Sequence, residues 1–248
     1  MAGHSAWSNI KHRNAAQDKV KGRVWSKCSR AIMVAARNGG GDPKFNTTLR
    51  YAIDEARAAN MPKENVEKAI KKGTGELEGS SYESVRYEGY APGGVAIIVD
   101  CLTDKQSRTA PEMRTLFDKH EGKIAKPGAV AFSFDMKGVI VIESSKVSED
   151  KLMTIALDAG ADDVVDIGGA WQVTCQPSVM IALKDALAAA EIEPDSAEVT
   201  MVPQNTVQCD ASLAGKVLKF IEALDEHDDV QKVYHNAEIP EDVMAQIN

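Results

Sequence analysis

From Ala15 to about Asn38 the apolar residues Val20, Val24, Cys28, Ala31 and Ala35 recur every three or four positions, and Trp25 and Ile32 widen the stripe. That spacing predicts a helix with one buried face. Asn38-Gly39-Gly40-Gly41-Asp42-Pro43 ends it, because glycine accepts a left-handed cap and Pro43 cannot continue a helix. Leu49, Ala52, Ile53 and Ala56 share one face of a second predicted helix. Asn60-Met61-Pro62 breaks that helix and starts a third, which carries Val66 and Ile70 and ends at Gly73. Short amphipathic helices cannot bury their stripes singly, so the three should pack as a bundle over residues 1–77. The stretch GTGELEGSS, Gly73–Ser81, is the linker candidate.

Beyond it the period changes to that of strands. Tyr82–Tyr90 and Val95–Leu102 read as strands joined by the turn Ala91-Pro92-Gly93-Gly94. A helix is predicted over Ser107–His120 and a strand over Ala129–Phe134. From Val139 the order is strand (Val139–Glu143), helix (Ser148–Ala159), strand (Asp163–Ile167), strand (Trp171–Gln176), helix (Ser178–Ala190) and strand (Glu198–Val202). This is the β-α-β-β-α-β order of a ferredoxin-like unit. A helix over Ser212–Leu224 and a strand over Val230–Tyr234 would complete a second module begun by residues 82–136. The expected fold class is therefore α+β. A helical domain (1–77) precedes a discontinuous α/β domain (82–136 plus 204–240), into which a third, ferredoxin-like domain (137–203) is inserted.

Charge is distributed unevenly over this plan. The chain has 248 residues and a formal net charge of −8. Residues 1–75 nevertheless hold fifteen Lys or Arg against six Asp or Glu, a net of +9. A basic head on an acidic body points to a polyanion partner for the head; a solvated basic face with no partner is the plainer alternative. No stretch approaches the roughly 18 apolar residues of a membrane helix. The start, MAGHSAWSNIKH, has no apolar signal core, so cytoplasmic residence without membrane contact is expected. Four scattered cysteines, Cys28, Cys101, Cys175 and Cys209, without a CxxC pair read as free buried thiols.

Catalytic signatures are missing. The triple glycine lacks the GK[ST] of a phosphate loop, and the sequence has no GxGxxG, GxSxG or HExxH. The five histidines show no metal-ligand spacing. Asp162-Asp163 and Asp228-Asp229 read as solvated loop acids, since adjacent side chains on a strand point apart. A non-enzyme without catalytic residues, metal or cofactor is the expectation.

The basic head does carry a mechanism. Lys19, Arg23, Lys27 and Arg30 follow the i, i+4, i+8, i+11 pattern, one residue before each of four apolar stripe members. They should form a line rotated about 100° from the buried face and exposed to solvent. Lys21 flanks it, and Lys11-His12-Arg13 precedes it on a segment without helical spacing. Such a set fits contact with a phosphate backbone, where cations release condensed counterions. Trp25 is placed in the core by its helical phase, whereas Trp7 could stack on a base. A second, weaker basic patch runs from Arg108 to Lys126.

The stretches AGHSAWSNIKHR, VAARNGGGDP, ANMPKENVEKAIKKGTGE, YEGYAPGGVAIIV and DDVQKVYHNAEIP, between Ala2 and Pro240, resemble the YebC/PmpR family. The resemblance implies three domains, the first helical, in a cytoplasmic bacterial protein that binds DNA and regulates transcription. It also implies a link to translation, since organelle relatives are translational activators and bacterial members are tied to the ribosome. Three positions depart from the family pattern. Ala6 replaces a frequent Lys, Thr103–Thr109 reads TDKQSRT in place of TDNRNRT, and Glu121 stands where glycine is typical.

The expected partner is thus nucleic acid, DNA first and ribosomal RNA as the alternative. The expected contacts are Lys11, His12, Arg13, Lys19, Lys21, Arg23, Lys27 and Arg30. Small-molecule sensing by the ferredoxin-like modules is a third reading without a sequence sign, no small-molecule substrate is evident, and a homo-oligomer is left open.

Overall fold

The structure, a computed structural model, describes residues 21–240 and 243–244. In chain order it begins with three helices, α1 (Lys21–Gly39), α2 (Thr47–Ala58) and α3 (Lys63–Thr74). Then come β1 (Glu83–Tyr90), β2 (Ala96–Thr103), α4 (Gln106–Lys119) and β3 (Lys123–Ile124). A second run comprises β4 (Phe134–Glu143), α5 (Glu149–Asp158), β5 (Ala161–Asp166), β6 (Ala170–Cys175), α6 (Met180–Ala189), β7 (Ser196–Pro203) and β8 (Val207–Gln208). The chain closes with α7 (Ala211–Asp225), β9 (Val230–His235) and β10 (Ala237–Glu238). The fold is α+β.

Among the described residues, 21–131 with 212–235 form one compact unit, and 132–211 with 236–240 and 243–244 form the other. In the first unit the helical stripes meet as the sequence pattern requires. Cys28, Ile32, Ala35, Leu49, Ala52, Ile53, Ala56, Val66 and Ala69 make one apolar core, with Trp25 packed against it. The Trp25 indole N–H donates to the Ala59 carbonyl at 3.0 Å, so its polar end is satisfied. α3 closes on α1 only because position 73 is glycine: a Cβ there would lie 2.5 Å from the Met33 carbonyl oxygen. The sheet of this unit has the order β3-β1-β2-β9, with every pair antiparallel. Its central strand β2, AIIVDCLT, is buried along nearly all its length. Phe117 of α4 and Phe220 of α7 pack edge to face, with centroids 4.9 Å apart.

The second unit has the strand order β5-β6-β4-β7, antiparallel throughout. This is the ferredoxin-like arrangement its element order predicts. Val139, Val141, Ile167 and Ala170 form part of its core.

Two expectations fail near residue 130. Ala129–Phe134 is not a strand: the segment turns, makes a short 3-10 helix at Ala131–Ser133, and Phe134 begins β4. The cause is Glu88, whose buried carboxylate accepts the N–H groups of Gly128, Val130 and Ala131 at 2.7, 2.8 and 2.9 Å. Those amides are then unavailable to a strand ladder, and Lys123–Ile124 takes the sheet edge. Correspondingly β4 starts at Phe134 rather than Val139, paired with β7 from Phe134↔Pro203 to Val141↔Ser196. Glu121 adopts φ 58, in the left-handed region. This is why glycine suits the position where this chain departs from the family pattern.

Candidate nucleic-acid interface

Lys11, His12, Arg13 and Lys19 lie outside the described residues, as does Trp7. Lys21 opens α1, and its side chain is likewise outside the description. The other three expected contacts are described, and they correct the expectation of a solvent-facing stripe. Their helical phase is as read, but the face they share meets the C-terminal end of α7 and the turn after it. Arg23 lies 3.7 Å from the Glu226 carboxylate, both side chains partly exposed. Lys27 donates from Nζ to the Asp225 carbonyl oxygen at 2.9 Å and lies 3.8 Å from its carboxylate. A cation placed on the last carbonyl of α7 satisfies an acceptor the helix leaves open and opposes the negative end of its dipole. Burial pushes the Lys27 ammonium below its ordinary value, against the opposing pull of Asp225.

Arg30 is the most enclosed of the three, at 8% exposure, and its NH1 approaches Asp229 Oδ1 at 3.5 Å. Its guanidinium also lies 5.9 Å from the centroid of the Tyr82 ring. Asp229 corrects a second expectation, for it is 4% exposed rather than a solvated loop acid. Its Oδ2 accepts from Thr109 Oγ1 at 2.7 Å and from Arg108 NH2 at 2.8 Å. Its carbonyl accepts the Leu102 N–H at 2.8 Å, and its own N–H donates to His227 Nδ1 at 3.2 Å. Burial works to raise the Asp229 carboxyl, but hydrogen bonds from Thr109, Arg108 and Thr103 overcome it and hold it below the ordinary range. A charge this enclosed needs such partners. The signal that could have shown this is the acidic run Asp225-Glu226-His227-Asp228-Asp229, the counterpart in sign of the stripe.

Other cations face solvent. Lys68 and Lys71 are exposed on α3, with Lys72 half-buried beside them, and none has an ion-pair partner among the described residues. Lys63 shares an exposed pair with Glu67 at 3.7 Å. Lys44 is exposed on the loop between α1 and α2. In the second basic patch Arg108 is drawn to Asp229, Asp104 and Glu112. Lys119, Lys123 and Lys126 are exposed and, among the described residues, unpaired. Lys126 precedes the loop that Glu88 fixes. Burial tends to raise the Glu88 carboxyl, yet the N–H groups of Gly128, Val130 and Ala131 outweigh it and leave it below its usual value.

All four cysteines are free and buried. Burial pushes the Cys28 thiol up to about 11 and the Cys101 thiol up to about 12, far from the thiolate that attacks or ligates. No group of three or more His, Cys, Asp or Glu able to hold a metal ion occurs among the described residues. Asp162 and Asp163 are exposed on β5, where Asp162 pairs with Lys137 at 2.6 Å. No described helix is long and apolar enough to cross a membrane.

Two family models divide the chain between them. Residues 5–76 match the N-terminal domain of the TACO1/YebC protein, and residues 82–237 match the TACO1/YebC second and third domain. The chain belongs to the TACO1/YebC family. A relative in Rubrobacter xylanophilus is 48% identical over 248 residues, covering 100% of this chain and 99% of its own. One in Desulfatibacillum aliphaticivorans is 50% identical over 246 residues, 99% of this chain and 100% of its own. Both carry the name probable transcriptional regulatory protein. The crystal structure of a conserved hypothetical protein from Aquifex aeolicus shares the fold with a TM-score of 0.80 at 45% identity, covering 91% of this chain and 93% of that one. The TACO1/YebC match extends through both compact units, so the docked stripe, the α3 lysines and the Glu88 loop all fall within family domains.

Proposed function

We propose that this protein is a cytoplasmic, non-enzymatic regulator that holds nucleic acid by its phosphate backbone, with promoter DNA as the first target. The observation that carries the reading is the set of solvent-facing lysines, Lys44, Lys68 and Lys71, with Lys72 beside them, on a segment of net charge +9 in a chain of net charge −8. Lys11, His12, Arg13, Lys19 and Lys21 remain further proposed phosphate contacts by their charge. Arg23, Lys27 and Arg30 serve it indirectly, by holding α1 against the end of α7. The names of the curated relatives support a transcriptional setting. Phosphate contacts carry no base information, so the same surface suits ribosomal RNA. The exposed ring of Phe45, beside Lys44, favours that second reading, because unpaired bases are displayed by RNA loops.

The test is fluorescence anisotropy of the full chain with a labelled duplex at rising salt. Log affinity should fall linearly with log salt, by about 0.9 per phosphate neutralised. Binding that is absent, or indifferent to salt, contradicts the proposal. Sedimentation of the endogenous protein separates the settings: persistent co-migration with ribosomal particles assigns translation, and absence from them assigns the promoter.

A further inference from the structure

Phe45 is 87% exposed, and it occupies a loop whose backbone is held almost entirely without its help. The Lys44 N–H donates to Asp42 Oδ1 at 2.9 Å, and the N–H groups of Phe45 and Asn46 donate to the Asp42 carbonyl at 3.2 and 3.1 Å. Arg50 reaches back from α2, giving Nε to the Pro43 carbonyl at 3.2 Å and NH2 to the Lys44 carbonyl at 3.3 Å. Beneath the loop the buried Asn46 side chain accepts the Leu49 N–H and donates to the carbonyls of Ala35 and Gly40, both at 2.8 Å. The glycines bring this loop onto α3: a Cβ on Gly41 would lie 2.9 Å from Thr74 Cγ2, in the turn that carries Lys71 and Lys72. Gly40, at φ 84, leaves open space next to it.

Single apolar residues on a surface are ordinary. This one differs in being an aromatic ring on a hydrogen-bonded scaffold, next in sequence to Lys44 and on a loop seated against the lysine-bearing end of α3. An exposed ring beside cations is the arrangement by which proteins hold an unpaired strand, stacking on the base while the cations take its phosphates. A duplex keeps its bases stacked on one another and offers the ring nothing equivalent. We infer that Phe45 is a stacking platform for an unpaired nucleobase, with Lys44, Lys71 and Lys72 holding the flanking phosphates. This rests on the phosphate-binding reading above and adds to it a contact that only single-stranded or looped nucleic acid can use.

The test compares the full chain with its Phe45→Ala, Phe45→Leu and Phe45→Trp variants on labelled oligouridine, oligothymidine and a duplex of equal length at one salt concentration. Phe45→Ala and Phe45→Leu should bind both single strands about 5- to 150-fold more weakly, the range expected for one lost stack. Phe45→Trp should bind as tightly as the parent, and duplex affinity should stay within about twofold in all three, since phosphate contacts are untouched. A loss on oligouridine but not oligothymidine also supports the platform and assigns RNA as its source. If Phe45→Leu matches the parent, the ring makes at most an apolar contact and the inference is wrong. An equal loss on duplex and single strands overturns it as well. A parent that binds no oligonucleotide overturns both this inference and the phosphate reading. A parent with steep salt dependence and indifferent Phe45 variants overturns the inference alone.

Discussion

Arg30 and Asp229 are 199 residues apart in sequence and form the most enclosed ion pair that α1 makes. Asp229 keeps Arg108 and Thr109 when Arg30 is removed, so the loss is that of one buried charge-assisted hydrogen bond, about 1.5–3 kcal/mol. The Arg23–Glu226 pair is partly exposed, and such pairs contribute about 0–1 kcal/mol. Urea unfolding should therefore show Arg30→Gln destabilised by about 1.5–3 kcal/mol and Arg23→Gln by less than about 1 kcal/mol. Equal losses would mean that Arg30 is not held as described. A second residue sets the pH response. Burial lowers His235 from its ordinary value to about 4. Between about pH 6.5 and pH 4 the unfolded chain binds a proton that the folded chain refuses, so stability falls as pH drops through that window. His235→Asn should flatten this stretch of the curve, and an unchanged slope would contradict it. The depressed carboxyls of Asp229 and Glu88 act lower down. Their contribution is complete above the ordinary carboxylate range and is lost as pH falls below about 4.

At the scale of elements, Glu88 of β1 fixes the loop after β3 by accepting three of its N–H groups. Glu88→Gln removes the charge that strengthens those bonds and offers a donor where only acceptors fit. Amide exchange at Gly128, Val130 and Ala131 should accelerate at least about tenfold, the equivalent of about 1.4 kcal/mol of local opening. Exchange at the parental rate would show that the loop is held by other contacts. The same carboxylate marks a limit of sequence reading. Helices and strands whose apolar period is unbroken are legible, α3 nearly to the residue and α2 by its buried face. Ala129–Phe134 is not legible in this way, because its apolar residues suit a strand while the Glu88 carboxylate that denies it one lies about forty positions upstream. The stripe on α1 was legible in phase but not in surroundings, since helical spacing fixes which residues share a face and not what that face meets.

Across the whole molecule the charge asymmetry has two uses. Residues 132–211 carry four Lys against fourteen Asp or Glu, a net of −10, and repel a polyanion. The acids Asp225, Glu226 and Asp229 instead occupy part of the basic head, leaving Lys44, Lys68, Lys71 and Lys72 among its described cations without an ion-pair partner. The candidate site was thus half legible: the sign and the segment came from composition, and the division between docked and free cations came from the fold. The measurement that bears most directly on this account is the salt dependence of duplex binding for the parent chain and for the triple variant Lys68→Gln, Lys71→Gln, Lys72→Gln. The variant should keep the parental unfolding midpoint, because these side chains lie off the bundle core. Its slope of log affinity against log salt should be shallower by about 2 to 3 units, close to 0.9 for each lost phosphate contact. A variant with the parental slope would contradict the account and place the polyanion on another surface.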